Sequence, residues 1–129
     1  MPSRAGRRAP DRGAAAVEAA LVLPLLLMIV FGIIDIGRMV NAQLRVTEAA
    51  REGARALALG ANAQARVQTV MGSLTGVSIA PDGCGPNEDH AEVKVTYQFS
   101  FITPLGVLAG GGLGGNVNIS ATGVMPCYG

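Results

Sequence analysis

The chain has 129 residues, half of them hydrophobic and 15% charged, with no tryptophan and a formal net charge of +1. That length holds one small domain plus an anchor rather than two sizeable domains. The near-neutral balance excludes the strong basic field of a nucleic-acid-binding protein.

Residues 1–13 are polar and basic, with Arg4, Arg7, Arg8 and Arg12 set against Asp11. Two prolines and a glycine before Asp11 predict a disordered segment. A helix is predicted from Ala14, because five of the seven residues Ala14–Ala20 are alanine. From Ala14 to Ile34 the only charged residue is Glu18. At 1.5 Å per residue that run is about 31 Å long, the thickness of a bilayer's hydrocarbon core. The preceding arginines keep the N-terminus cytoplasmic and place the rest of the chain outside. A cleavable secretory signal has a shorter apolar run and ends on a small-residue cleavage site. "FGIIDIGRMVNAQLRV" lacks that site, and the twin arginine of "GRRAPDRG" is not followed at once by apolar residues. Pro24 removes a backbone donor and predicts a kink, which a membrane helix tolerates.

The helical period continues past the span. Ile33, Ile36, Val40, Leu44, Thr47, Ala50, Ala54 and Leu57 recur at three- and four-residue steps, which predicts an amphipathic helix stopped by Gly60. Asp35–Arg38, Arg45–Glu48, Glu48–Arg51 and Glu52–Arg55 are opposite-charge pairs at i,i+3. A second short helix is predicted over Asn62–Met71, ended by Gly72. "SLTGVSIAP" then reads as a strand and "PDGCGPNEDH" as a loop. "AEVKVTYQFSF" alternates best in the chain, with Val93, Val95, Tyr97, Phe99 and Phe101 on one face. A glycine-rich hairpin connection leads to "NVNISATGVMP", a further strand with a bulge expected at Gly123.

The predicted fold class is therefore α+β, a long N-terminal transmembrane and amphipathic helix carrying a small antiparallel β-sheet domain. The expected divisions are 1–13 as a basic cytoplasmic leader, 14–36 as the transmembrane helix, 37–60 as its amphipathic extension and 61–129 as the extracytoplasmic domain. Cys84 and Cys127 fall in that domain, where an oxidising compartment makes a disulfide the default and two free buried thiols the alternative.

The sequence offers no constellation for an enzyme. "AGGGLGG" is not followed by the Lys-Ser/Thr of a phosphate loop, and no serine sits in a Gly-x-Ser-x-Gly elbow. His90 is the only histidine, and Asp82, Glu88, Asp89 and Glu92 do not have calcium-loop spacing. No metal, cofactor, small-molecule substrate or nucleic acid is expected. "NIS" at Asn118–Ser120 matches a glycosylation acceptor but falls within a predicted strand. Ala15–Ala19, Ala16–Ala20, Ala49–Gly53 and Ala50–Ala54 are small-xxx-small pairs, which either bring helices close or reflect alanine's helix propensity.

Glu18 raises the main question. Burying an acid at the centre of a span costs about 2.5–3.5 kcal/mol, less toward the interface. "RGAAAVEAALVLPLLLMIVFGIIDIGRMVNAQLRVTEAAREGARALALG", about residues 12–60, resembles the TadE-like family, pseudopilin-like components of the Tad pilus-assembly system. The small-residue start with "VE", the "LVLPLLL" run, "FGIIDIGR" and "AAREGARA" carry the resemblance. It implies a minor pseudopilin, not an enzyme, made as a precursor in the cytoplasmic membrane. It implies cleavage by a prepilin peptidase after Gly13, so that Ala14 begins the mature chain and Glu18 becomes its fifth residue. The family usually has an aromatic after this glutamate, where this chain has Ala19. Pilins, other pseudopilins and Tad assembly proteins are the partners so implied. Cleavage would remove the four leader arginines and expose an ammonium at Ala14. Glu18 then has a natural partner in the ammonium of a neighbouring subunit, setting the register of helix docking. The alternatives are a Glu18 that snorkels to the interface beside Arg12 without cleavage, and a permanently anchored single-pass protein whose external domain binds a ligand or surface component.

Overall fold

The computed structural model describes residues 12–103 and 115–128. Residues 1–11 of the predicted leader and most of the glycine-rich connection lie outside the described residues. Five elements follow in order: α1 Arg12–Ala58, α2 Ala63–Met71, β1 Val77–Asp82, β2 His90–Ser100 and β3 Asn116–Pro126. The predicted α+β class is the observed one, a long apolar N-terminal helix with a three-stranded antiparallel sheet of order β1-β2-β3.

α1 runs for 47 residues, with Pro24 inside it and no break in the helix there. It ends where the sequence supplies a residue free to take positive φ. Gly60 has φ 72°, its N–H donates to the Leu57 carbonyl at 3.0 Å, and Ala61 N–H donates to the Ala56 carbonyl at 2.8 Å. These two bonds are the Schellman closure of a helix C-terminus. Asn62 then caps α2, its side-chain oxygen accepting from Ala65 N–H at 3.0 Å, and Gly72 ends it.

The sheet and α2 pack on the upper half of α1. Ala42, Val46, Ala49, Ala50 and Ala54 of α1 are buried against Val93, Val95 and Phe99 of β2, Ile119 of β3, and Val67 and Met71 of α2. The small side chains are on the helix and the large ones on its neighbours, so the helix axis and sheet approach closely. Two glycines set that distance. A Cβ on Gly53 would meet Val67 Cγ2 at 2.7 Å, and one on Gly123 would fall inside the Ala50 carbonyl. The small-xxx-small pairs at Ala49–Gly53 and Ala50–Ala54 thus serve packing within the chain. Those at Ala15–Ala19 and Ala16–Ala20 are exposed.

Several expectations are corrected. Ile33, Ile36, Val40 and Leu44 are 65%, 58%, 50% and 63% exposed, and only Ala50, Ala54 and part of Leu57 from the predicted stripe face the core. The eight positions are not one face: at 100° per residue Leu44 and Ala50 lie about 120° apart. β3 has no bulge, since it pairs with β2 in unbroken register from His90↔Pro126 to Ser100↔Asn116. Gly123 instead faces α1 opposite Val93, and Val124 points outward. β1 starts at Val77, not Ser73, and extends to Asp82. Of the four predicted i,i+3 pairs only Asp35–Arg38 is an ion pair among the described residues. Glu52 pairs instead with Arg66 of α2 at 3.1 Å.

Candidate functional site

α1 divides into two lengths with different surroundings. From Gly13 to Phe31 every residue is exposed, including Leu21, Val22, Leu23 and Leu25. Helix α1 is long and apolar enough to cross a membrane, and among the described residues no other helix is. Such a surface is unfavourable in water, since each large apolar side chain left exposed forgoes about 1.5–3 kcal/mol of burial.

Gly13, Ala14 and Glu18, the residues expected to carry processing and docking, all lie in the first two turns of α1. Ala14 and Glu18 are four residues apart and so share a face. Glu18 is exposed and forms no hydrogen bond or ion pair among the described residues. The next charged residue along the helix is Asp35, about 25 Å away at 1.5 Å per residue. Glu18 is therefore a lone acid on an apolar rod, with space around it for an incoming group.

Where the bare length ends, the structure builds a polar collar. Asp35 follows Ile34 directly and is buried, 1% exposed. Its carboxylate accepts from Thr103 N–H at 3.1 Å, from Ile102 N–H at 3.4 Å and from the Thr103 hydroxyl, and it pairs with Arg38 Nη1 at 3.3 Å. A buried carboxylate needs such donors, because an unpaired charge away from water is costly. Arg38 in turn lies over the Phe99 ring, 5.2 Å from its centroid, and Phe99 meets Phe101 edge-on at 5.3 Å. The collar ties the start of the β2–β3 connection to the last turn of the apolar rod. The sequence shows Asp35 and Arg38 as a local pair. Thr103 lies 68 residues further on, and no periodicity connects it to Asp35.

At the far end of the domain Cys84 and Cys127 form a disulfide, with Cα atoms 5.9 Å apart. Cys127 N–H also donates to the Asp89 carbonyl at 2.9 Å. His90, Glu88, Asp89, Glu92 and Asp82 are exposed at this end. They form no group of three metal-ligating side chains, nor does any other cluster among the described residues. Asn118, of the possible glycosylation motif, is exposed in mid-strand opposite Gln98. The shallow groove between α1 and α2, lined by Leu44, Arg45, Glu48, Glu52, Arg66 and Val70, is open.

These features define a class: an α+β protein with one candidate membrane-crossing helix, bare below Asp35 and serving above it as the spine of a small disulfide-clipped domain. Residues 13–55 match the TadE family model, described as TadE-like protein. That family is one of pilus-assembly components, and the likeness, confined to this segment, suggests a Tad pilus-associated component. The matched segment runs from Gly13 through the bare helix and the collar's Asp35 and Arg38, and stops before α2 and the sheet. No curated protein and no solved structure matches the chain.

Proposed function

We propose that the chain is a membrane-anchored, non-enzymatic minor pseudopilin of Tad pilus assembly. Its bare helix spans the cytoplasmic membrane, its N-terminus is cytoplasmic and its domain lies outside. A prepilin peptidase cuts after Gly13, and the new ammonium at Ala14 answers Glu18 of an adjacent pilin or pseudopilin when helices dock. The observation that carries this reading is the pairing of an uncovered apolar helix with a single acid near its start that has no partner among the described residues, inside the stretch that matches the TadE family.

The physical case for Glu18 is one of partner supply. In water its charge costs nothing. In a bilayer it needs a counter-charge, and the charged side chains of the upper helix lie too far along the axis to provide one. An ammonium delivered by another subunit satisfies it only at one axial offset, so the pair fixes register as well as charge. The test is piliation and co-purification in cells carrying Glu18→Gln. The variant should remain in the membrane fraction but lose association with pilins and Tad assembly proteins. Normal piliation and normal co-purification by Glu18→Gln would remove the docking role. A deletion strain with normal pili and a chain that never co-purifies with pilus components would favour the permanently anchored, ligand-binding alternative.

A further inference from the structure

The collar fixes more than a loop. Asp35 is the first residue after the apolar run, and bonds of 3.1 and 3.4 Å from the amides of Thr103 and Ile102 hold the β2–β3 corner at that same depth. Ile102 is 74% exposed there, although Thr103 beside it is anchored. One turn before Asp35, on the same face of α1, Phe31 is 45% exposed. Val117, paired with Phe99 and so at the same end of the sheet, is 39% exposed. The sheet's charge is distributed to match. His90, Glu92 and Lys94 occupy the far half of β2, and from Val95 to Gly129 there is no Asp, Glu, Lys, Arg or His.

We propose that the corner Phe101–Thr103 rests in the interface of the bilayer that holds the span, with Ile102 inserted among the lipid acyl chains as a second point of attachment. This inference rests on the membrane-spanning reading of α1. A lipid interface is the occupant that the surroundings select. The corner lies at the depth where the exposed apolar run of α1 ends, the charged half of the sheet points away, and Arg38 stands beside the corner with its side chain 40% exposed, where its guanidinium reaches the headgroups. Apolar side chains on a rigid frame beside a basic group are the composition of interfacial anchors. Seated this way, Asp35 is covered by the corner instead of meeting lipid.

The chain has no tryptophan, so a single introduced one reports on one place. Ile29→Trp probes mid-span, Ile102→Trp the corner and Tyr128→Trp the far end. Each position is well exposed, so the larger ring fits without repacking. The full chain is reconstituted in phosphatidylcholine–phosphatidylglycerol vesicles whose acyl chains are brominated near the headgroup or near the chain end. Ile29→Trp should be quenched most by the deep bromines. Ile102→Trp should lose emission roughly two-fold to the shallow bromines, as interfacial insertion requires. Tyr128→Trp should be unaffected by either. If Ile102→Trp keeps its emission while Ile29→Trp is quenched, the corner stands in water or against another copy and the proposal is wrong with the span intact. If Ile29→Trp is also unquenched, the spanning reading itself falls and takes the proposal with it.

Discussion

Asp35 and Gly123 show how single residues set the geometry of this protein. Asp35 is a buried acid whose donors come from Arg38 one turn along and from Ile102 and Thr103, 67 and 68 residues further along the chain. Replacing it with alanine removes the acceptor and leaves those amides unpaired. Amide exchange at Ile102 and Thr103 should accelerate in Asp35→Ala, while Val93 and Val95 in the sheet interior keep their protection; unchanged exchange at the corner would show that the collar does not hold it. Gly123 faces the Ala50 carbonyl with no room for a methyl group. Gly123→Ala should therefore destabilise the domain by about 1–3 kcal/mol, as overpacking of a close contact does. Denaturant unfolding in detergent reads this, and an unchanged midpoint would mean that helix and sheet can part at little cost.

At the scale of elements, the caps and the clip carry separable stability. α2 is short and begins on Asn62, so Asn62→Ala should cost about 1 kcal/mol and speed exchange in the first turn of α2. An unaltered midpoint would mean that packing of Val67 and Met71 alone holds the helix. The Glu52–Arg66 bond is exposed and contributes less than about 1 kcal/mol. The disulfide closes a separation of 43 residues. Replacing both cysteines by serine should lower stability by about 2–4 kcal/mol through the freer unfolded chain. Equal unfolding midpoints for Cys84→Ser/Cys127→Ser and the disulfide-bonded wild-type chain would contradict that.

Over the whole molecule, the legible features were those with local causes. Gly60, Asn62 and Gly72 punctuate the helices where their chemistry predicts, and the alternation of Val93, Val95 and Phe99 marks the buried face of β2. The features missed arise between distant segments. The core face of α1 is drawn in alanine and glycine, whose hydropathy is weak, so the larger Ile33, Ile36, Val40 and Leu44 drew attention to the wrong side. In the sequence Gly123 looks like a local irregularity, because its reason, the Ala50 backbone, lies on another element. Asp35 was visible as a partner of Arg38 but not as the anchor of Thr103. Gly13, Ala14 and Glu18 show the same limit from the other direction: their proposed partners, a peptidase and a neighbouring subunit, lie outside the chain.

Processing of the helix that begins the domain is what would turn an anchor into a docking element. N-terminal mass analysis of the chain isolated from the membrane fraction, with and without the prepilin peptidase, tests this most directly. The chain should start at Ala14 when the peptidase is present and retain residues 1–13 when it is absent. A chain that keeps Met1–Gly13 intact in pilus-assembling cells with active peptidase would contradict it.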